Sequence, residues 1–192
     1  MHHKILILLI MLIFAGCKEK YTPKPRGYFR IDFPAKKYHA IENQYPYRFE
    51  IPDYAVVLPD SRNPDKPSWI NIAVPASKAE IHISYYALND GKGVLSEYME
   101  ESRQLAYKHS IKADAIDEQI FLNAGEQVFG TVYKIEGNAA SPMQFYLTDS
   151  TRHFLRGALY IREVPNIDSL KPVIDFLVPD MVRLIESTTW NE

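Results

Sequence analysis

The sequence has little cysteine and no excess of charge of one sign. Cys17 is the single cysteine among 192 residues, and one sulfur can form neither an intrachain disulfide nor a thiolate zinc site. The 22 Lys and Arg residues are nearly balanced by 24 Asp and Glu residues, which leaves a net charge of -2. Such a chain has no overall basic field to hold a phosphate backbone, so we expect no nucleic-acid partner.

The N-terminal hydrophobic run is too short for a mature transmembrane span. Residues 5–14 are uninterrupted apolar residues, and with Ala15 and Gly16 they make only about 18 Å of helix, against a hydrocarbon core of about 30 Å. A charged start, a short apolar run and small residues are instead typical of a secretory signal. We therefore predict that residues 1–16 are a signal peptide.

The end of this signal, Phe14-Ala15-Gly16-Cys17, resembles the bacterial lipoprotein box, with Phe14 in place of the usual Leu. The resemblance implies that the Cys17 thiol receives a diacylglyceryl group and becomes the mature N-terminus. This covalent lipid is the one attached group expected, and no other cofactor is predicted. The alternative is a buried cysteine in an uncleaved apolar segment. Because each buried acyl CH₂ contributes about 0.8 kcal/mol, two or three chains make an effectively permanent anchor.

Residues 17–27 are predicted to be a proline- and lysine-rich tether, extended by Pro23 and Pro25. Its basic groups either add roughly 1 kcal/mol each beside an anionic leaflet or are simply solvated. Aromatic side chains beside arginine are typical of interface hot spots and also suit stacking on sugars or peptide stems. The candidate partner interface consists of Tyr21, Lys24, Arg26, Tyr28 and Arg30. For Phe29, Phe33 and Phe49 we favour the alternative, the core face of a strand.

The composition, 46% hydrophobic and 24% charged, is that of one ordinary folded domain, which we place at residues 28–192. Apolar alternation predicts strands near 29–33, 47–51, 54–58, 69–74, 81–86, 116–123, 127–136, 143–148 and 153–162. Helical periodicity predicts an amphipathic helix over 94–108 and a second from about Asp168, which Pro179 should kink or divide. The predicted fold class is α+β, an antiparallel sheet flanked by helices.

Signs of catalysis are sparse. The histidines do not occur at metal-ligand spacing outside the signal, and there is no Gly-rich phosphate loop or Gly-x-Ser-x-Gly elbow. Asp149, Ser150 and His153 lie within one short segment, where these residue types are preferred for bonding their own turn backbone. We therefore predict no metal site and no catalytic residue. A hydrolase built on this cluster is the weakest of three functional hypotheses.

Residues 21–34, YTPKPRGYFRIDFP, follow the lipobox directly and resemble the gliding-motility lipoprotein GldD family of Bacteroidota. The resemblance extends over the mature chain and includes YLTDS at 146–150 and DSL at 168–170. The later strand and helix blocks also resemble the PsbP/Mog1 type of α/β/α sandwich.

This resemblance implies a non-enzymatic, membrane-anchored lipoprotein required for gliding and linked to the type IX secretion system. Its expected partners are other gliding and secretion proteins of the envelope, and the lipid anchor holds it to a membrane. The alternative is a periplasmic lipoprotein that binds peptidoglycan, glycan or peptide. Because Lys18-Glu19-Lys20 carries one acid where surface-export signals carry a denser acidic run, we expect a periplasm-facing position in the cell envelope.

Overall fold

Eleven strands and two helices make up the part of the chain that the computed structural model describes, residues 31–88, 92–164 and 166–191. Short 3₁₀ helices follow the fifth strand and the first helix, at Pro75–Ser77 and Lys108–Ile111. In chain order the main elements are β1 (Tyr38–Ala40), β2 (Tyr47–Arg48), β3 (Glu50–Pro52), β4 (Val56–Pro59), β5 (Ile70–Val74), β6 (Ala79–Ala87), α1 (Lys92–Tyr107), β7 (Ala113–Asn123), β8 (Val128–Gly137), β9 (Met143–Thr148), β10 (His153–Ile161), α2 (Ile167–Glu186) and β11 (Thr189–Trp190).

Strands β4 to β10 form one seven-stranded sheet in the order β4-β5-β6-β10-β9-β8-β7. All neighbouring strands are antiparallel, as short connections favour. Helix α1 carries the chain from β6 in the middle of the sheet to β7 at one edge. Two short ladders, β1 with β3 and β2 with β11, supplement this sheet. The α+β prediction, an antiparallel sheet flanked by helices, is confirmed.

Helix α2 covers one face of the sheet. Its stripe of Leu177, Met181, Leu184 and Ile185 is buried in the same cluster as the inward residues of β5, β6, β9 and β10. Fully burying each such side chain stabilises the fold by roughly 1.5–3 kcal/mol. These residues lie on both sides of Pro179, and the free energy of their burial outweighs the cost of an interior proline, about 3 kcal/mol. Of the two outcomes predicted at Pro179, a kink or a division, division is wrong: one helix runs through Pro172 and Pro179.

Helix α1 packs on the opposite face, over β9 and β10. Ala106 is buried there with the aromatic side chains of Tyr133, Tyr146 and Phe154. The rings of Tyr98 and Phe154 lie 5.4 Å apart, and Tyr146 stacks on Phe154 at the same distance. The neighbouring part of this face, formed by β5 and β6, carries polar side chains such as Asn71 and His82 and borders an open cleft.

The N-terminal strand predictions need correction. Residues 31–37 form no regular structure, and residues 29 and 30 lie outside the described part of the chain. Phe33 packs on α2 instead, with its ring centroid 4.2 Å from that of Phe176. The strand predicted at 47–51 is split into β2 and β3, because β2 pairs with β11 and β3 pairs with β1. Phe49 between them is fully buried, as its assignment to the core requires.

Substitution of Gly130 tests how closely β8 and β9 approach. A Cβ at this position would overlap the backbone carbonyl of Tyr146 and press on the Leu147 side chain. Because a ladder carbonyl cannot move aside without breaking the pairing, Gly130→Ala should lower the free energy of unfolding by about 2–3 kcal/mol in urea denaturation. Gly125→Ala is the matched control, since its Cβ would meet nothing closer than Asn123 Oδ1 at 3.6 Å. Equal stability of the two variants would contradict this packing.

Candidate functional site

The residues that sequence patterns single out for anchoring and partner binding are all outside the described residues. They are Cys17, Tyr21, Lys24, Arg26, Tyr28 and Arg30. Lipidation of Cys17 and the partner interface therefore stay predictions.

The chain directly after these positions is bound to helix α2 through a buried carboxylate. Asp180, only 3% exposed, accepts hydrogen bonds from Lys36 Nζ at 2.6 Å, Tyr38 OH at 2.8 Å and Tyr54 OH at 2.5 Å. Lys36 Nζ also donates to the Phe176 carbonyl at 2.6 Å and lies 4.0 Å from the centre of that ring. We call this set of contacts the Asp180 cluster.

Burial and hydrogen bonds to Asp180 keep both phenols of the Asp180 cluster protonated. Burial, followed by the hydrogen bond to Asp180, raises the pKa of Tyr38 to about 12. The same two causes, in the same order, raise the pKa of Tyr54. Both side chains therefore act as donors to Asp180 at neutral pH, and the cluster ties residues 36–54 to α2.

Asp149, Ser150 and His153 lie in the β9–β10 turn but do not assemble a triad. Asp149 Oδ1 accepts hydrogen bonds from the backbone N–H groups of Thr151, Arg152 and His153 at 2.8–3.0 Å. Partial burial opposes ionisation, but these backbone donors hold the pKa of Asp149 below its usual value. The carboxylate is thus engaged in shaping the turn.

The His153 ring faces other partners. Its Nδ1 lies 2.8 Å from Tyr85 OH, and the ring stacks on Trp190 with centroids 5.0 Å apart. Its Nε2 is buried and has no hydrogen-bond partner among the described residues. Neither ring nitrogen is bonded to Asp149 or Ser150, so the base and acid of a triad are not coupled.

A polar cleft of about 820 Å³ opens on the α1 face, beside the C-terminal end of α1. Ligand sites commonly enclose about 300–1,000 Å³ and have a few converging polar groups, so the size of this cleft suits a small molecule. Its polar wall comes from β5, β6, β9 and β10, which bring together Asn71, His82, Ser84, Gln144, Arg156 and Tyr160.

The rim of the cleft is positively charged. Arg62 from the β4–β5 loop and Lys108 from the 3₁₀ helix after α1 both line it. Arg62 Nη2 lies 3.1 Å from His82 Nδ1, which is also 2.6 Å from Asn71 Oδ1. Burial, and then the Arg62 charge, hold the pKa of His82 below its usual range. The imidazole is therefore neutral at neutral pH, and guanidinium and ammonium groups supply the positive charge.

Sequence patterns did not single out the residues of this cleft. Gln144 is the one amide in strand β9 and lies between Met143 and Phe145, which is the one local signal that marks it. Arg62 and Arg156 are far apart in sequence and meet only through the order of strands in the sheet. Leaving a buried polar atom unpaired costs about 1–3 kcal/mol, so the buried Gln144 amide requires a physical reason.

Residues 31–88, 92–164 and 166–191 contain neither a metal-binding cluster nor a membrane-spanning helix. Within these ranges, no group of three or more His, Cys, Asp or Glu side chains is arranged to hold a metal ion. No helix in the same ranges combines the length and the apolar character that crossing a bilayer requires.

The fold is of the PsbP type. It is similar to the solution structure of cyanobacterial PsbP (CyanoP) from Synechocystis sp. PCC 6803, with a TM-score of 0.50 and 9% sequence identity. The similarity covers 87% of this chain and 99% of that chain. At this identity the likeness concerns the fold alone, and it confirms the PsbP-like architecture expected from the strand and helix blocks.

The family of this chain is shown by its sequence and not by its fold. The family model of the gliding motility lipoprotein GldD matches residues 18–190. The chain belongs to the GldD family of gliding-motility lipoproteins, as the resemblance of residues 21–34 implies. Membership of a lipoprotein family indicates a membrane-anchored protein of the cell envelope. None of the proteins with curated functions matches the chain.

The Asp180 cluster provides a stability prediction. Asp180→Asn removes the charge that pairs with Lys36, whose side chain is 28% exposed. Because this pair is buried on one side only, we expect a loss of about 2 kcal/mol of unfolding free energy, less than for a fully buried pair. A double-mutant cycle with Lys36→Met, measured by urea denaturation, should show a clear coupling energy.

The matched control for this cycle is the exposed pair of Lys171 and Asp175, which lie 3.0 Å apart on the same helix. Lys171→Met should change stability by about 0.5 kcal/mol or less. Additive effects of Lys36→Met and Asp180→Asn would show that the two side chains are not coupled.

The β9–β10 turn provides a pH prediction. The folded pKa of Asp149 is depressed, so its carboxylate stabilises the folded state above the unfolded pKa of roughly 3.9, and this stabilisation is lost as the pH falls through the folded pKa. Asp149→Asn should therefore be less stable than wild type by about 1–2 kcal/mol at neutral pH. The stability difference between wild type and Asp149→Asn should become smaller in acid. Thermal unfolding at several pH values measures it. Ser150→Ala should keep the wild-type pH dependence, and a constant difference for Asp149→Asn would refute this assignment.

Proposed function

We propose that this protein is a non-catalytic assembly component of the gliding machinery, linked to the type IX secretion system that exports adhesins. The observation that carries the proposal is the GldD family match over residues 18–190. Its partners are other gliding and secretion proteins of the envelope, bound by contact and not by chemical conversion.

The use of the Asp149, Ser150 and His153 side chains supports a non-catalytic role. The Asp149 carboxylate binds three backbone amides of its own turn, while His153 Nδ1 is engaged with Tyr85 OH. Ser150 has a φ of 69°, a turn conformation that suits its place between β9 and β10. Asp149 and His153 therefore have structural uses without catalysis, and Ser150 occupies a position in the turn.

The proposed anchor is a diacylglyceryl group on Cys17, which attaches the folded domain to a membrane through the tether of residues 17–27. We place the domain on the periplasmic side, because Lys18-Glu19-Lys20 contains a single acid. Trypsin added to intact cells should then leave the protein uncut, whereas trypsin added after the outer membrane has been opened should cleave it.

One sequence segment and one described surface support binding of a protein partner. The first is the set of aromatic and basic residues at 21–30, which includes Tyr21, Arg26 and Tyr28. The second is edge strand β7, where Ile120 and Leu122 are 79% and 72% exposed. Exposed apolar side chains on an unpaired strand edge are typical of contact sites. Crosslinking in cells from positions in 21–30 and on β7 tests this, because the captured protein can then be identified. Capture of no envelope protein from either set of positions would count against this role.

Deletion of the gene tests the proposed function. The deletion strain should lose colony spreading and surface adhesin export while growing normally, because the protein supports the machinery and not general metabolism. Wild-type protein and Ser150→Ala should restore both traits, since no hydroxyl chemistry is involved. Spreading is measured on agar, and adhesin is measured on the cell surface by immunoblot.

The anchor is tested in the same strain by Cys17→Ala, whose product should leave the membrane fraction and fail to restore spreading. Immunoblots for equal protein levels are the control. A deletion strain that still glides and exports adhesin would overturn the proposal, and failure of Ser150→Ala at normal protein level would overturn the non-catalytic part.

A further inference from the structure

The cleft on the α1 face contains a buried donor without an acceptor. Gln144 on β9 is 5% exposed and lines the cleft. Its Nε2 has no hydrogen-bond partner in the described part of the chain. The Gln144 side chain itself lines the cleft, so rotation of its terminal amide, which exchanges the positions of oxygen and nitrogen, turns the two N–H groups towards a ligand oxygen in that space.

Arg156 on β10 is a second side chain whose N–H donors are not all used in hydrogen bonds. Its side chain is 19% exposed, and its Nη1 lies 3.4 Å from Glu101 Oε1. Its Nη2 donates to Tyr86 OH, also at 3.4 Å. Both distances exceed the usual 2.7–3.2 Å range, roughly the span of N–H···O bonds. A guanidinium has five N–H donors, so most of the hydrogen-bonding capacity of Arg156 is available.

The charge around these two donors favours an anion. Arg62, Lys108 and Arg156 line the cleft, and among its described lining residues Asp60 is the one carboxylate. Asp60 is already engaged, because it pairs with Arg62 Nε at 3.4 Å and accepts a hydrogen bond from Asn63 Nδ2 at 2.7 Å, and an excess of positive charge remains in the lining. Glu101 is 53% exposed, so water screens its effect on Arg156.

The remaining wall is apolar or aromatic. Leu105, Ala158 and the Tyr160 ring line the cleft beside the polar groups. A bare inorganic ion would leave this surface uncovered, whereas an organic molecule with an anionic head would cover it. The volume of about 820 Å³ accommodates a molecule of metabolite size.

We propose that this cleft binds a small organic oxyanion, with Arg156 and Gln144 donating hydrogen bonds to its carboxylate or phosphate oxygens. Planar guanidinium groups match both anions in a two-bond geometry. Arg62 and Lys108 at the rim attract the charged head, and Leu105 and Ala158 contact the body of the ligand. This binding is separate from attachment to the membrane and from contact with envelope proteins.

Calorimetric titration of the full chain in non-ionic detergent tests the proposal. The titrants are sodium succinate and phosphoserine at neutral pH, with sodium chloride holding the ionic strength constant. At least one should give saturable heat and raise the thermal unfolding midpoint. Succinate alone identifies a carboxylate ligand, phosphoserine alone a phosphate ligand, and binding of both a general oxyanion site.

Two variants separate ligand binding from a structural role. Arg156→Lys keeps the charge but loses the planar two-bond geometry, and its affinity should fall by about tenfold or more. Gln144→Met keeps the volume but removes the buried unpaired amide. It should therefore raise the unfolding midpoint of the free protein and also weaken ligand binding. Loss of an amide with only a structural role would not produce both effects.

Lys171→Gln is the control, because it removes one positive charge from the exposed outer side of α2. It should bind like wild type. The proposal is overturned if neither anion gives a signal beyond that of sodium chloride. It is also overturned if Arg156→Lys and Gln144→Met both bind as tightly as Lys171→Gln, which would mean nonspecific attraction. The measurement uses purified protein, so its result does not depend on the role in secretion.

Discussion

Strand β9, which lies beside the central strand β10, is buried along its whole length, and this constraint organises the domain. All six of its residues, on both sides of the sheet, are buried. Side chains alternate along a strand, so each face needs its own cover. Helix α2 covers Met143, Phe145 and Leu147, while α1 covers Tyr146. Because α1 ends near Lys108, it leaves part of its face open, and Gln144 lies at the border between helix and cleft.

The sequence predicts the strands of the seven-stranded sheet and both helices well, because each has a clear apolar period, whereas it does not predict β1 or β11. Strand β9 was placed at its observed bounds, and α1 within two residues. The errors arose where tertiary contacts decide the outcome. Residues 31–33 alternate like a strand but do not form one, and Phe33 stacks on Phe176 of α2. Pro179 is a helix breaker locally, yet Leu177 and Met181 beside it are held in the core. The cleft was not predictable, because Arg62, Gln144 and Arg156 meet only through strand order.

The polar side chains of the β9–β10 turn and those of the cleft differ in how fully their hydrogen bonds are satisfied. In the turn, the carboxylate of Asp149 is matched by three backbone donors, and the local structure accounts for its presence. In the cleft, Gln144 and Arg156 keep donors that the described part of the protein does not use. Unused donors that line an open cleft therefore mark Gln144 and Arg156 as a candidate binding site.

The order of contacts along the chain gives the Asp180 cluster a mechanical meaning. Tension that arrives along the polypeptide from its N-terminal side first meets residues 31–37, which belong to no strand. It therefore pulls on the Phe33 stack and on the Lys36 ammonium before it reaches a ladder. Helix α2 passes that pull to the middle of the core through Leu177 and Met181. Under load on residue 31, the contacts of Phe33 and Lys36 with α2 would therefore break before any strand of the seven-stranded sheet separates.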